Sequence, residues 1–252
     1  MIWHFIDTKS GSGKFNMELD IFLSEICKND EAFFRLYRWL PHTISLGANQ
    51  KFEEIDLNKC KTDNIGVVKR PTGGRAILHA EEITYSLILP ISYGLSAREI
   101  YNKVSITLSA ALTKYNPLLA SVELEQNQPN FKELLNTPSG GLCFASTAKS
   151  EVKYKGKKLI GSAQRKMNNV ILQHGSILCG KTHRLLPEYL ADKSDVEILK
   201  KELADKTTEI ETITKEKTDY SLLAEIIKKQ FETDWNFNFT NSTNLIISKF
   251  VD

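Results

Sequence analysis

Residues 69–79 read KRPTGGRAILH, and this stretch decides the fold. Pro71 ends the short buried strand predicted just before it, because proline cannot donate a hydrogen bond to a neighbouring strand. Gly73 and Gly74 lack Cβ atoms, so backbone N–H groups at this turn can approach a ligand closely. The apolar residues after the glycines predict a strand, and the run ITYSLIL at 83–89 predicts another. The stretch is a candidate ligand-binding wall, although an ordinary hairpin turn is the commoner explanation of two adjacent glycines.

The composition is that of an ordinary globular protein. The 252 residues are 41% hydrophobic and 25% charged, and such a chain can bury a substantial core. A formal net charge of +2 argues against bulk binding of nucleic acid. No apolar run approaches the roughly 20 residues that span a bilayer, and the N-terminus does not resemble a signal peptide. We therefore expect a cytoplasmic protein without a membrane partner.

The four cysteines are widely spaced and contain no C-x-x-C pair, a pattern that predicts neither a zinc site nor a disulfide framework. Cys27 continues the apolar stripe of a predicted helix, and Cys179 lies inside an apolar strand. Both are expected to be small buried hydrophobes. Cys60 is expected to be inert. Cys143 follows a long predicted loop, and we expect no metal and no cofactor.

Apolar periodicity predicts a mixture of helices and strands. Helices are predicted at Phe15–Cys27, Phe52–Cys60, from the cap Ser96 to about Tyr115, and at Leu185–Ala191, Asp195–Leu203 and Tyr220–Thr233. Strands are predicted at Ile2–Asp7, Ala32–Trp39, Thr43–Gly47, Ile65–Val68, Ala76–Leu78, Ile83–Leu89, Ser121–Glu125 and Trp235–Phe239. A β-meander is predicted at Cys143–Ser146, Glu151–Tyr154, Lys158–Arg165 and Val170–Cys179, after a long loop at Gln126–Gly141. Because strands and helices mix without a strict βαβ rhythm, we expect an α+β fold of mixed or antiparallel sheets packed with helices.

Two segments together resemble the catalytic domain of the biotin/lipoate protein ligase superfamily. Residues 70–79, followed by TYS at 84–86, resemble the lipoate-binding loop of that superfamily. Residues 156–165 read GKKLIGSAQR and resemble its lysine motif. The order and separation of the segments fit, and the resemblance covers essentially the whole chain. It implies a biotin/lipoate protein ligase catalytic-domain fold, with one domain over residues 1–252 and no C-terminal accessory domain.

The resemblance also implies a set of site residues. Lys158 takes the place of the superfamily's active-site lysine. Substrate-binding residues are implied in both motifs, namely Arg70, Thr72, Gly73, Gly74, Arg75, His79, Gly161, Ser162 and Ala163. For His79, a hydrogen-bonded structural histidine is an equally good interpretation. Arg75 stands where ligases more often have a third glycine, and this departure suits a transferase.

Within the superfamily the chain is most similar to the cysteine-dependent octanoyltransferases of the LipM type. Cys143 stands before the lysine motif, where those enzymes carry their nucleophile. They transfer octanoyl from acyl carrier protein to a lysine of a lipoyl domain, such as glycine cleavage H protein, with no cofactor. A thiolate attacks a thioester readily, and Lys158 would activate the thiol or stabilise the thioester oxygen. Without the lysine motif, a passive loop thiol would be the better interpretation of Cys143.

Three alternatives remain open. The first is ATP-dependent ligation of lipoate, and the second is transfer of octanoyl between two lipoyl domains by the same cysteine. The third is a non-catalytic module that binds lipoyl domains, which the joint presence of Cys143 and Lys158 disfavours. Basic residues between Lys149 and Lys166 form either a solvated face or a docking patch for acidic carrier proteins and lipoyl domains. We expect a monomer that does not bind nucleic acid.

Overall fold

The computed structural model of the chain describes residues 1–125 and 151–251. Its strands are β1 (Ile2–Gly11), β2 (Glu31–Trp39), β3 (Thr43–Leu46), β4 (Gly66–Lys69), β5 (Ile77–His79), β6 (Glu82–Pro90), β7 (Val122–Leu124), β8 (Val152–Tyr154), β9 (Lys157–Met167), β10 (Val170–Leu178) and β11 (Phe239–Asn241). Its helices are α1 (Gly13–Ile26), α2 (Leu57–Thr62), α3 (Ala97–Tyr115), α4 (Val196–Lys206), α5 (Ile210–Thr214), α6 (Tyr220–Trp235) and α7 (Thr243–Val251).

Within the described ranges the strands form a large sheet and a small one. The large sheet has the order β11-β1-β2-β6-β10-β9-β8-β7, and the small sheet has the order β4-β3-β5. In the large sheet β1 runs parallel to both β2 and β11, and the other neighbours are antiparallel. In the small sheet β3 is parallel to β4 and antiparallel to β5. The predicted α+β fold with mixed sheets is confirmed.

The helices begin where the sequence supplies a capping side chain. The Ser12 hydroxyl accepts a hydrogen bond from the backbone N–H of Phe15 at the start of α1. Ser96 and Glu99 satisfy each other's backbone N–H groups at the start of α3, as the predicted capping box requires. At the start of α6 the Asp219 carboxylate accepts from the backbone N–H groups of Ser221 and Leu222. None of the helices in the described ranges combines the length and apolarity needed to cross a bilayer.

The large sheet is covered by helices on both faces. On one face, Tyr85 of β6 packs in a cluster with Leu108 of α3 and Phe231 of α6. On the other face, Leu19 of α1 and Ile246 of α7 belong to a second cluster. The small sheet has its own core with α4 and the 3₁₀ turn Thr182–Tyr189, formed by residues that include Ile44, Leu46, Leu78, Leu186, Leu199 and Leu203.

The strand predicted at Trp235–Phe239 is wrong. Helix α6 continues through Trp235, Asn236 ends it with a φ of 55°, and the strand is β11 instead. The alternating aromatic residues that suggested a strand are explained by a shared neighbour, because the rings of Trp235, Phe237 and Phe239 all contact Trp3. Helices α5 and α7 were also not predicted from the sequence.

Two other predicted elements differ in detail. The helix predicted at Phe52–Cys60 is a 3₁₀ turn at Phe52–Glu54 followed by α2, because Asp56 caps a new helix at the N–H of Lys59. The helix predicted at Leu185–Ala191 is the 3₁₀ turn Thr182–Tyr189. The loop predicted at 126–141 and the strand predicted at 143–146 lie outside the described residues.

Candidate active site

A cavity lies between the two sheets, and both sequence motifs reach it; its empty space, part of which is open to solvent, is about 380 Å³. The first motif contributes Arg70, Ile77 and His79, and the second contributes Gly161, Ser162 and Ala163. The rest of the wall is formed by Met17, Tyr37, Trp39, Ser45, Thr84, His174, Gly175 and Ser176. The two segments that were paired on sequence resemblance therefore meet at one cavity.

Arg70 shapes the loop of the first motif. Its guanidinium donates to the carbonyl oxygens of Gly73 and Arg75, at 2.9 and 2.7 Å from Nη2, and Nε also donates to Gly73. Its Nη1 donates to the carbonyl oxygen and to the hydroxyl of Ser45 in β3. All five N–H groups of the buried guanidinium thus have a partner in the protein. Arg70 holds the glycine turn against the small sheet.

The glycine turn also depends on Gly47, which directly follows β3. From the sequence, Gly47 was predicted only to end a strand. A Cβ atom on Gly47 would overlap the carbonyl oxygen of Gly74, so the two backbones touch at this point. Gly74 itself has a φ of 92°, which side chains with a Cβ rarely adopt. The N–H of Ala48 donates to the carbonyl of Thr72 at 2.9 Å. The close backbone approach at this turn is therefore to the segment that follows β3.

Other contacts fix the outer part of the loop. Arg165 in β9 donates from Nη1 to the carbonyl of Pro71 at 2.6 Å, a direct contact between the two motifs. The Arg75 guanidinium lies 3.9 Å from the Glu54 carboxylate, where both side chains are about a third exposed. A Cβ on Gly73 would meet no described atom within 4 Å. Of the predicted binding residues in this loop, only Arg70 lines the cavity.

His79 is hydrogen-bonded at both ring nitrogens and also lines the cavity. Its Nδ1 lies 2.8 Å from Glu82 Oε1, and its Nε2 lies 2.7 Å from Ser45 Oγ. Burial opposes ionisation of Glu82, but His79, Thr84 and Ser176 outweigh it and lower the pKa of this carboxyl. The Glu82 carboxylate and the Ser45 hydroxyl thus hold the imidazole ring of His79 from both sides. The ring also stacks on Trp39 at 4.0 Å between centroids.

His174 of β10 forms a second carboxylate–imidazole–hydroxyl chain. Its Nδ1 lies 3.3 Å from Asp20 Oδ2, and its Nε2 lies 2.7 Å from Thr72 Oγ1. Asp20 also accepts from Arg35 at 2.9 Å, and both of these side chains are fully buried. Burial lowers the pKa of His174, whereas hydrogen bonds from His174 and Arg35 overcome burial and lower the pKa of Asp20. At neutral pH a neutral imidazole therefore links an ionised carboxylate to the glycine loop.

Lys158 lies beside a β-bulge in β9. Val152 pairs with Ile160 but Lys153 pairs with Lys158, so Leu159 is one extra residue in β9. Both Leu159 and Ile160 belong to the core under α3 and α6. The Lys158 side chain is 1% exposed, and its Nζ lies 3.0 Å from Oε1 of Glu151. Lys158 does not itself line the described cavity, although Gly161 on the same strand does.

The three cysteines in the described ranges are poor nucleophiles. Burial raises the pKa of Cys27 to about 12 and that of Cys60 to about 11, and it raises the pKa of Cys179 well above its ordinary value. Their thiols are therefore protonated at neutral pH. Cys143, the predicted nucleophile, lies outside the described residues. The parts of the chain that the structure describes contain no group of three or more His, Cys, Asp or Glu side chains able to hold a metal ion.

Several polar residues around the cavity were not predicted from the sequence. His174 and Asp20 were passed over because the apolar residues of β10 and α1 assigned both elements to the core. Asn16 and Asp20 lie four positions apart on the buried side of α1, and this pair of buried polar residues was the available signal. Glu151 was noted only as the first residue of a predicted strand.

Comparison with known proteins identifies the family. Residues 12–232 match the lipoyl protein ligase A/B catalytic domain. The octanoyltransferase LipM of Macrococcus caseolyticus is 32% identical over 238 residues, which are 91% of this chain and 86% of that protein. LipM of Staphylococcus aureus is 31% identical over 93% of this chain and 87% of its own length. LipM of Clostridioides difficile is 34% identical over 94% and 88%, respectively.

Solved structures of lipoate ligases share the fold. Lipoate-protein ligase A bound with ATP is 16% identical, with a TM-score of 0.72 over 100% of this chain and 95% of that one. The bi-partite lipoate protein ligase of Thermoplasma acidophilum is 15% identical, with a TM-score of 0.75 over 100% and 93%. At these identities the likeness concerns the fold alone, and it agrees with the resemblance noted in the two motifs. With relatives at 31–34% identity over more than nine tenths of its length, the chain belongs to the lipoyl protein ligase A/B catalytic domain family.

Proposed function

We propose that the protein is an octanoyltransferase of lipoate biosynthesis, which moves octanoyl from acyl carrier protein to a lysine of a lipoyl domain through Cys143. The observation that carries the proposal is the cavity at which the two motifs meet. The names of the relatives, all octanoyltransferases, support the choice of acyl group. Cytoplasmic location, a monomeric state and a single catalytic domain remain predictions.

The cavity suits an unsubstituted acyl chain because its polar side chains are turned toward one another. Ser45, His79, Thr84 and Ser176 form hydrogen bonds among themselves and with Glu82, which leaves mainly carbon on the cavity surface. Burial of each methylene contributes about 0.8 kcal/mol, or roughly a fourfold change in affinity. An octanoyl chain therefore gains its binding energy here without requiring a polar partner.

The chemistry balances without ATP or an oxidant. The Cys143 thiolate attacks the carbonyl carbon of the octanoyl thioester, and the bond to the carrier sulfur breaks as the carrier thiolate leaves. The neutral amine of the acceptor lysine then attacks the acyl-enzyme. An amide bond forms, the Cys143 thiolate leaves, and the amine gives up a proton. The Lys158 ammonium stabilises the negative charge that develops on the carbonyl oxygen in both steps.

Intact-mass analysis after incubation with octanoyl-acyl carrier protein, in the absence of ATP, tests the proposal. We expect an octanoyl adduct on the wild-type protein that disappears when a lipoyl domain is added. Cys143→Ala should form no adduct, and Cys27→Ala, which removes a thiol of raised pKa, should form it at the wild-type rate. An adduct that persists in Cys143→Ala would reject this nucleophile.

The same experiment separates the alternative activities. Lipoyl-domain modification that requires free lipoate or octanoate together with ATP would instead identify a ligase. An adduct that forms from an octanoylated lipoyl domain, and not from the carrier protein, would identify transfer between two lipoyl domains. Binding of lipoyl domains without any modification would identify a non-catalytic module.

A further inference from the structure

A buried ammonium group requires a structural explanation in this fold. Lys158 is 1% exposed, and an isolated ammonium of this kind is expensive to remove from water. Glu151 is itself 4% exposed, and its carboxylate lies 3.0 Å from Lys158 Nζ. The pair therefore compensates charge inside the protein.

The backbone around both residues is fixed independently of their side chains. The carbonyl of Glu151 accepts from the N–H of Glu125 at 2.9 Å, which holds the start of β8 against the end of β7. The carbonyl of Lys158 accepts from the N–H of Thr208 at 2.9 Å. The bulge at Leu159 sets the register between β8 and β9. Because both Cα positions are held in this way, the ion pair determines where the flexible lysine side chain ends.

We propose that Glu151 is a positioning residue for Lys158, and this inference rests on the proposed function. The carboxylate fixes the position of the ammonium that the proposed mechanism uses to stabilise the charge on the thioester oxygen. A lysine side chain has four rotatable bonds, so an unanchored ammonium samples many positions and stabilises the transition state less often. A displacement of about 1 Å at a catalytic group can cost up to about 100-fold in rate.

Glu151→Gln tests the inference because it keeps the shape of the side chain and an acceptor oxygen but removes the charge. We expect kcat for octanoyl transfer to fall by about 10- to 100-fold, with KM for the octanoyl donor changed by less than about twofold. Glu151→Asp keeps the charge at shorter reach and should recover part of the lost rate. Glu125→Gln is the matched control, since it removes the carboxylate paired with Lys153 on the adjacent strand and should leave kcat unchanged.

A double mutant distinguishes positioning from a general structural role. If Glu151 acts through Lys158, then Glu151→Gln should cause no further loss of single-turnover rate in a Lys158→Met background. An equal loss in both backgrounds would overturn the inference, as would a wild-type kcat in Glu151→Gln. If Glu151→Gln fails to fold, the double-mutant comparison uses Glu151→Asp in both backgrounds, and an equal loss in both would overturn the inference in the same way. A wild-type protein that transfers no octanoyl would instead reject the proposed function, and the inference with it.

Discussion

The two faces of β6 and β10 are equally buried but carry different chemistry. Both strands are buried along their whole length at the middle of the large sheet. On one face, Ile83, Tyr85 and Leu87 pack in the hydrophobic core with α3 and α6. On the opposite face, Thr84 and His174 line the cavity. Burial alone therefore does not locate a site, whereas the alternation of residue types along a buried strand does.

The two faces also owe their stability to different forces. The apolar face contributes through the area removed from water and through close packing. The polar groups of the cavity face contribute only while they keep their partners, because a buried charge without a partner costs several kcal/mol. A substitution on the apolar face thus creates a void, and a substitution on the cavity face leaves a partner unsatisfied.

The largest effect is expected at the fully buried ion pair behind the cavity face. Asp20→Leu removes the carboxylate that Arg35 and His174 contact, and it leaves the Arg35 guanidinium without its counter-charge. We expect the free energy of unfolding, measured by urea denaturation, to fall by about 3–5 kcal/mol. The double variant Asp20→Leu with Arg35→Met removes both charges and should recover much of this loss. A loss below about 1 kcal/mol in Asp20→Leu would show that the Asp20–Arg35 ion pair contributes little to the free energy of unfolding.

A somewhat smaller effect is expected on the apolar face. Leu87 is 1% exposed, and Leu87→Ala should lower the free energy of unfolding by about 2–5 kcal/mol through the void it leaves. Octanoyl transfer per folded molecule should not change. Ser86→Ala is the matched control on the opposite face, where the hydroxyl has no hydrogen-bond partner among the described residues. Its effect should stay within about 0.5 kcal/mol. A fall in kcat in folded Leu87→Ala would show that the two faces are coupled.

The smallest expected effect is a dependence of stability on pH that the cavity face introduces. Burial lowers the pKa of His174 below its ordinary 6.5, so its contribution to stability is complete above 6.5 and decreases as pH falls toward the folded-state pKa. The lowered pKa values of Asp20 and Glu82 act in the same direction, with losses that begin below about 3.8 and 4.5. Each group changes the free energy of unfolding by at most about 1.4 kcal/mol per pH unit.

Urea denaturation between pH 7.5 and pH 5 measures the histidine part of this effect. The wild-type protein should lose stability over this range, and His174→Asn should lose less. His4 and His183 also have lowered pKa values and account for the loss that remains. An equal acid loss in His174→Asn and in the wild-type protein would contradict the assignment to His174.

Local sequence patterns predicted most of the elements and the fold class, and the resemblance to a ligase superfamily implied that the two motifs serve one site. The patterns predicted these elements because strand alternation, helix caps and loop glycines act over a few residues. They could not predict the polar network, because Asp20 and His174 are 154 positions apart. His79 was left with two interpretations, and the structure shows that it is both hydrogen-bonded at each nitrogen and exposed to the cavity. A pattern identifies a buried polar residue, but only the fold supplies its partner.

The parallel pairing of β1 with β11 has a consequence for synthesis in the cell. His4 contacts Ser242 across 238 positions of the chain, and the ring of Trp3 stacks on Phe237 at 4.0 Å. A ribosome adds roughly 5–20 residues per second, so on the order of ten to fifty seconds separate the emergence of these partners. Throughout that time one edge of β1 and the indole of Trp3 lack their final neighbours. This edge of the large sheet is therefore completed only after translation has passed Asn241.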